Sequence, residues 1–158
     1  MRPPILLAIA LALALMPGCM ALRPPTPAAA DTGAVAAEAQ AFMDAYARDL
    51  RSGDRAAIAA RYYRGGAWFV GNGEKSFHTN AEIEAIYTGA QWSPPASFGW
   101  RDLSFEPLGP DAIVVVGLFD WGTGESEAPI TVSYTGLLLR QGGELRIRLE
   151  DESAQRRR

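Results

Sequence analysis

The order of hydrophobic patterns along the chain predicts an α+β domain, with helices grouped before an antiparallel sheet. Helical spacing of apolar residues fills the stretch from 35 to 62, and a capped helical segment follows at 79–87. The last strand candidate alternates apolar and charged residues, which is typical of a strand with one face in water. The long strand candidates are 98–108, 112–121, 130–140 and 144–153.

Three helices are expected in the first half of the domain. Gly53 ends the first helix, and Asp54 can cap a second, short helix that continues through Tyr62. Thr79 and Glu82 have the T-x-x-E spacing of a capping box, which begins a third helix. The apolar face of the first helix consists of Val35, Ala39, Phe42, Met43, Tyr46 and Leu50.

A small hairpin is expected between the second and third helices. The run AWFVG is typical of a strand, and KSFHT is the returning strand. Asn72-Gly73 tolerates positive φ and favours a tight turn between them. A second tight turn at Gly142-Gly143 leads into the last strand. There the alternation predicts that Leu145, Ile147 and Leu149 face the core, and that Arg146, Arg148 and Glu150 face water.

The first 18 residues are typical of a secretory signal peptide. Arg2 is the only charged residue before Cys19, and an unbroken apolar run occupies 5–16. A helix that spans a bilayer needs about 20 apolar residues, so this shorter run is expected to be removed as a signal.

The pair Gly18-Cys19 at the end of this run resembles the lipobox of bacterial lipoproteins, in which Leu and small residues precede the cysteine. The resemblance implies that Cys19 is lipidated and anchors the chain to a membrane of the bacterial cell envelope. Met20 occupies the position where lipoproteins of the inner membrane often have Asp. It therefore favours the outer membrane, with the domain facing the periplasm.

The remaining chain divides into a tether, one domain and a tail. Residues 19–34 are rich in Pro and Ala and lack apolar periodicity, which predicts an extended tether. Residues 35–153 are enough for one domain with its own core. Residues 154–158 are expected to form a disordered basic tail.

Composition excludes several classes of function for this 158-residue chain. The formal net charge is −3 and the only basic cluster is Arg156, Arg157 and Arg158, so we expect no nucleic-acid partner. Cys19 is the single cysteine, which rules out an intrachain disulfide. The sequence has no cluster of metal-ligand residues and no nucleotide-binding motif, and we expect neither a metal nor a cofactor.

Four stretches resemble the NTF2-like superfamily, also described as SnoaL-like or cystatin-like. They are FMDAYARDLRSGDRAAIAARY, AWFVGNGE, GPDAIVVVGLFDW and GLLLRQGGELRIRLEDES, and together they span about residues 38–153. The resemblance implies a cone in which three N-terminal helices pack on a strongly bent antiparallel sheet. It does not imply one activity, because the superfamily contains enzymes, binding proteins and assembly modules.

Asp120 is the candidate acid of the pocket that such a cone encloses. It ends the run IVVVGLFD, and the period of two residues in a strand places it on the same face as Val116 and Leu118. If that face is buried, the carboxyl could serve as a proton donor or base. Ketosteroid isomerase and the polyketide cyclases, which share the superfamily's fold, use carboxylates inside the cone. The alternative is a solvated Asp120 at the mouth of the strand.

The remaining candidates are a histidine and a set of aromatic residues. His78 is the only histidine and could act as acid or base together with Asp120 and Tyr46, or it could only pack beside the Thr79 cap. The aromatic residues either line a pocket or pack in the core. The ligand-binding candidates are Tyr46, Tyr62, Trp68, Leu118, Asp120 and Tyr134.

Three interpretations of function remain open at this point. The first is a lipid-anchored domain that binds a small apolar ligand or a protein partner without catalysis. The second is a small acid–base enzyme of the isomerase, dehydratase or cyclase type. The third is an assembly module that forms a homodimer through the outer face of the sheet.

Overall fold

The computed structural model describes residues 32–124 and 128–154. Helices precede and flank a short hairpin, and four long strands follow, which confirms the α+β class. The elements are α1 (Thr32–Ser52), α2 (Arg55–Ala60), β1 (Ala67–Gly71), β2 (Glu74–His78), α3 (Asn80–Thr88), β3 (Ser97–Pro107), β4 (Ala112–Gly122), β5 (Ile130–Gln141) and β6 (Glu144–Ala154).

The six strands form one mixed sheet in the order β2-β1-β6-β5-β4-β3. The four long strands make an antiparallel meander. The early hairpin of β1 and β2 joins the free edge of this meander. Strand β1 pairs in parallel with β6, and Trp68 lies opposite Leu149. The hairpin therefore extends the sheet beside the last strand, next to the segment that follows α2.

The helix caps lie where the sequence places them. The Asp54 carboxylate accepts a hydrogen bond from the backbone N–H of Ala57 at 3.0 Å. Thr79 and Glu82 form both halves of the capping box of α3. Helix α2 ends at Ala60 and so is shorter than predicted, because the segment after it pairs with β6 instead.

The ends of the domain differ slightly from the prediction. Helix α1 begins at Thr32, inside the expected tether, and three alanines near its start, Ala34, Ala36 and Ala37, favour helix. Strand β6 continues to Ala154, the first residue of the expected tail. The predicted signal peptide, Cys19 and residues 155–158 lie outside the described residues. Among the described helices, none is both long and apolar enough to cross a bilayer.

The core lies between the apolar face of α1 and the inner face of the sheet. Burying a large apolar side chain stabilises the fold by about 1.5–3 kcal/mol, and the inner face of each long strand supplies such residues. The largest fully buried side chains are Tyr62, Tyr134, Met43, Ile58, Ile83, Ile113, Leu138, Ile147 and Val115.

The face of β4 that carries Val116, Leu118 and Asp120 was predicted to be buried, but it is the outer face of the sheet. Ile113, Val115 and Phe119 are buried, whereas Val116 is 48% exposed. Asp120 follows Val116 by two periods of the strand, so both side chains are on the outer face of β4. The prediction was wrong because both faces of the run AIVVVGLF are apolar, so alternation could not choose between them. The register of β4 against β5 is continuous through Gly117, so no bulge intervenes there.

Strand β6 contains a bulge that the sequence pattern did not reveal. Ile147 lies opposite Leu138 but Leu149 lies opposite Leu137, so Arg148 is an extra residue in the ladder. Every side chain after it changes face. Glu150, which was predicted to face water, is therefore turned into the core and is 3% exposed.

The bulge marks the point at which β6 changes its neighbour. Before it, the N–H of Ile147 donates to the carbonyl of Arg61 at 2.9 Å, and the N–H of Tyr63 donates to the carbonyl of Ile147 at 2.9 Å. After it, the strand pairs with β1. The guanidinium of Arg148 donates to the carbonyls of Gly65 and Gly66 between these two partners. The tertiary pairing thus fixes the position of the extra residue.

Candidate functional site

The inner face of the sheet and helices α1 and α3 enclose a cavity of about 140 Å³. Seven of its lining residues are aromatic, and Glu152 is the one carboxylate among them. We call it the aromatic cavity. It is lined by Tyr46, Leu50, Ile86, Tyr87, Trp92, Phe98, Trp100, Phe119, Trp121 and Glu152.

A larger groove of about 440 Å³ runs along α1 and β3. It is open to solvent, and its walls are mainly polar, with Gln40, Asp44, Arg48 and Asp102 among them. Small-molecule sites are usually enclosed and mostly apolar with a few polar groups. The aromatic cavity fits this description better and is therefore the candidate site.

The loop that carries Trp92 is held by Arg55 of α2. Its guanidinium donates to the carbonyl oxygens of Tyr87 at 2.8 Å, Gly89 at 2.9 Å and Trp92 at 3.1 Å. The guanidinium carbon also lies 5.2 Å from the centre of the Trp92 ring. Trp100 is fixed in a similar way, since its indole N–H donates to the carbonyl of Met43 at 2.9 Å. Two large rings of the wall are thus held by hydrogen bonds as well as by packing.

Four tyrosines surround a buried glutamate directly behind the cavity, and we call this group the tyrosine cluster. The hydroxyl of Tyr62 donates to Glu150 Oε2 at 2.6 Å, and the hydroxyl of Tyr134 donates to Glu150 Oε1 at 3.1 Å. The Tyr62 oxygen also lies 2.8 Å from the Tyr46 hydroxyl and 2.6 Å from the Tyr87 hydroxyl. The cluster therefore joins α1, α3, β5, β6 and the segment after α2 at one point.

Burial changes the proton affinity of this cluster. Removal from water raises the pKa of Glu150 to about 7, against the lowering effect of the hydrogen bonds from Tyr62 and Tyr134. Burial, and next the charge of Glu150, raise the pKa of the Tyr46, Tyr62 and Tyr134 hydroxyls well above their usual value. The tyrosines consequently remain protonated and act as donors, while Glu150 titrates near neutral pH.

Glu152 shares the inner face of β6 with Glu150 but lies at the mouth of the cavity, where the residue is exposed to solvent. Loss of water around its carboxyl, and next the nearby charges of Glu150 and Asp151, raise the pKa of Glu152. The two carboxylates form a pair in which one is enclosed and the other can reach a ligand.

The structure brings some of the predicted site residues together. Tyr46 lines the aromatic cavity, and Tyr62 and Tyr134 belong to the tyrosine cluster behind it. Their catalytic or binding roles stay predictions. They were predicted from the sequence as aromatic residues of the cone, but without the carboxylate to which Tyr62 and Tyr134 donate.

Three other predicted residues, Asp120, Leu118 and Trp68, lie away from the cavity. Asp120 and Leu118 are on the outer face of β4, where the Asp120 carboxylate accepts from Thr131 Oγ1 at 2.7 Å and pairs with Arg101 at 3.2 Å. Trp68 is 37% exposed on the outer face of β1 and packs on Phe77. The expectation that Asp120 faces into the cone is therefore wrong, because the strand buries its other apolar face.

His78 is separated from the tyrosine cluster by an aromatic ring. Its imidazole packs edge-on against Phe69, with 5.2 Å between the ring centres, and Phe69 in turn stacks on Tyr62 at 5.4 Å. The His78 Nε2 atom lies 2.8 Å from the Ser76 hydroxyl. The predicted combination of His78 with Asp120 and Tyr46 is not formed.

The site also contains residues that were not predicted from the sequence, among them Glu150, Glu152, Tyr87, Trp92 and Trp100. A signal for the acids was present, since two glutamates spaced by two in a strand share one face. The alternation of the residues before them placed that face in water, and the bulge at Arg148 reversed it. Within the described ranges, no group of three or more His, Cys, Asp or Glu side chains is placed to hold a metal ion.

No protein-family model matches the sequence, and no curated protein is detectably similar to it. Solved structures match the fold. An NTF2-like protein of unknown function from Shewanella oneidensis aligns with a TM-score of 0.66 and 16% identity, covering 75% of this chain and 98% of that one. An NTF2-like protein of unknown function from Pseudomonas putida aligns with a TM-score of 0.66 and 20% identity, covering 78% of this chain and 88% of that one.

The chain has the NTF2-like fold. A ketosteroid isomerase-like protein from Erwinia carotovora atroseptica shares it as well, with a TM-score of 0.61 and 15% identity over 77% of this chain and 96% of that one. The resemblance found in the sequence is thereby confirmed for the fold. At this level of identity the NTF2-like fold says nothing of activity, which must be argued from the cavity itself.

Proposed function

We propose that the domain binds a small, largely apolar molecule in the aromatic cavity without converting it. The observation that supports this most directly is the wall of seven aromatic residues around a space of about 140 Å³. An engineered apolar cavity of about 150 Å³ binds benzene, so a space of this size suits a ligand with one ring. Glu150 supports a binding role rather than turnover, since both of its oxygens are already held by tyrosine hydroxyls.

Blocking the mouth of the cavity tests this proposal. Ile86 lines the cavity yet is 40% exposed, so Ile86→Trp should fill the entrance with little cost to the core. We expect benzyl alcohol and indole to bind the wild-type domain in the millimolar range or tighter by calorimetry, and to lose binding to Ile86→Trp. Val116→Trp is the matched control, because Val116 is 48% exposed on the outer face of β4.

Two results would contradict the proposal: no binding of either probe to the wild-type domain, or equal binding to Ile86→Trp.

An acid–base enzyme is the second candidate. It is favoured by Glu152 at the mouth, which could move a proton to or from a bound molecule. A probe that is chemically altered by the wild-type domain and left unaltered by Glu152→Gln would favour this candidate.

We also propose that the domain is held at a membrane of the bacterial cell envelope through lipid on Cys19, with the outer membrane favoured. The support is the sequence Gly18-Cys19 after the apolar run 5–16. Cys19→Ala should abolish incorporation of labelled fatty acid and leave uncleaved precursor, while Met20→Ala should not. A mature-sized Cys19→Ala protein that still sediments with membranes would show that the anchor lies elsewhere.

Dimerisation through the outer face of the sheet stays a prediction. The apolar residues Val114, Val116 and Leu118 lie along that face of β4, with Leu137 of β5 opposite Val114. Sedimentation velocity of the domain tests this, and a strictly monomeric species at high concentration would exclude it.

A further inference from the structure

When Glu150 is ionised, its carboxylate sets the direction of the hydrogen bonds in the tyrosine cluster. A tyrosine hydroxyl has one proton to donate and lone pairs that accept. The proton of Tyr62 is directed to Glu150 Oε2, because an ionised carboxylate can only accept. In its contacts with Tyr46 at 2.8 Å and Tyr87 at 2.6 Å, the Tyr62 oxygen must therefore be the acceptor.

Tyr46 and Tyr87 consequently direct their only hydroxyl protons inward, toward Tyr62. Both residues line the aromatic cavity, and their oxygens have only lone pairs left for a ligand. Glu152, the third oxygen-bearing side chain of the wall, also only accepts when it is ionised. The side-chain oxygens of the cavity are thus acceptors, and a ligand that meets them must donate.

The charges around the cavity favour a cation as that donor. The faces of aromatic rings attract cations, and this attraction grows where water is excluded. The arginines nearest the wall have other partners: Arg55 donates to three backbone carbonyls, and Arg51 donates to the carbonyl of Phe98 at 3.2 Å. Among the described lining residues, none has a cationic side chain.

We infer that the aromatic cavity takes a small primary ammonium ligand, whose apolar body packs on the rings and whose N–H groups meet the oxygens of Glu152, Tyr46 and Tyr87. This inference rests on the proposed binding function and adds the ligand's charge to it. An anionic or purely accepting ligand would instead bring its lone pairs against those of Glu152, Tyr46 and Tyr87.

Binding of an ammonium ligand in the aromatic cavity should depend on pH. The ionisable groups that face Glu150 are Tyr46 of α1, Tyr62, Tyr87 of α3, Tyr134 of β5 and Glu152 of β6. When Glu150 gains a proton, Tyr62 no longer has to donate to it. The direction of the hydrogen bonds between the Tyr62 hydroxyl and those of Tyr46 and Tyr87 can then reverse. Tyr46 and Tyr87 then become able to donate into the cavity. Ammonium binding should therefore weaken at acidic pH.

Three probes of one size and different charge test the inference: benzylammonium, benzyl alcohol and benzoate. Calorimetry of the domain near pH 8 should show benzylammonium binding about tenfold more tightly than benzyl alcohol, with benzoate weakest. Glu152→Gln should remove most of this preference. Glu106→Gln is the matched control, because Glu106 is an exposed carboxylate on β3 outside the cavity. The preference should also decrease toward pH 6.

The outcomes separate the two claims. If benzyl alcohol binds as tightly as benzylammonium, or benzoate binds most tightly, the ammonium inference is overturned and the proposed binding function stands. A preference for ammonium that Glu152→Gln leaves intact overturns it as well. If none of the three probes binds, the inference and the proposed function both fail.

Discussion

Tyr62→Phe should lower the free energy of unfolding by about 3–5 kcal/mol at neutral pH. The lost hydroxyl is the centre of the tyrosine cluster: it donates to Glu150 and accepts from Tyr46 and Tyr87. A buried carboxylate would lose one of its hydrogen bonds, and two buried donors would lose their acceptor. Each such unpaired group is costly where water cannot replace the partner.

Tyr63→Phe is the matched control for this substitution. Tyr63 adjoins Tyr62 in sequence, but its ring packs beside the Arg148 guanidinium at 5.4 Å, and that contact survives the loss of a hydroxyl. Urea denaturation of both variants gives the comparison. Equal stabilities of Tyr62→Phe and Tyr63→Phe would show that the cluster is not formed as described.

A double-mutant cycle identifies the cause of the loss. In the background Glu150→Gln the buried charge is absent, so adding Tyr62→Phe should cost clearly less than it does in the wild-type protein. An additive result would mean that Tyr62 acts through packing alone. The cycle thus distinguishes the loss of a hydrogen bond to a buried charge from a loss of packing around Tyr62.

The second large effect is a loss of stability as the pH rises. The carboxyl of Glu150 has a folded-state pKa raised to about 7 by burial, above its ordinary value of 4.5. Between these values the folded protein binds more protons than the unfolded chain, so the free energy of unfolding falls as pH increases. The decrease due to Glu150 should reach about 3 kcal/mol and be complete slightly above pH 7.

Glu150→Gln should flatten this profile. The amide occupies nearly the same space without an ionisable proton, so the decrease between about pH 5 and pH 8 should largely disappear. Glu152→Gln should change the profile much less, because that residue is exposed to solvent. Thermal or urea unfolding across this range measures the effect. A wild-type stability that rises from pH 5 to pH 8 would contradict the assignment.

The tyrosine cluster also explains how an acid can lie in the core of a small domain. Both oxygens of Glu150 have hydroxyl donors, and no buried side-chain polar atom in the described part of the chain lacks a partner. Because the donors come from different helices and strands, the cluster can form only when these elements are in register. We expect it to favour one arrangement of the cone over others.

The sequence by itself determined the features that depend on neighbours along the chain. Asp54 and Thr79 cap their helices because each cap needs only residues two or three positions ahead. The apolar spacing of α1 predicted the buried face from Ala39 to Leu50 for the same reason. The succession of helices and strands was then sufficient for the α+β class and for the resemblance to the NTF2-like fold.

Only the tertiary structure decided which side chains enter the cone. Both faces of β4 are apolar, so the choice of Phe119 over Asp120 for the inner face depended on packing against the rest of the sheet and α1. In β6 the extra residue at Arg148 follows from a change of neighbour, from the segment at Tyr62 to strand β1. These partners are distant in sequence, and the period of a strand contains no information about where such a bulge falls. The carboxylate at the centre of the tyrosine cluster is therefore Glu150, which local alternation had placed in water.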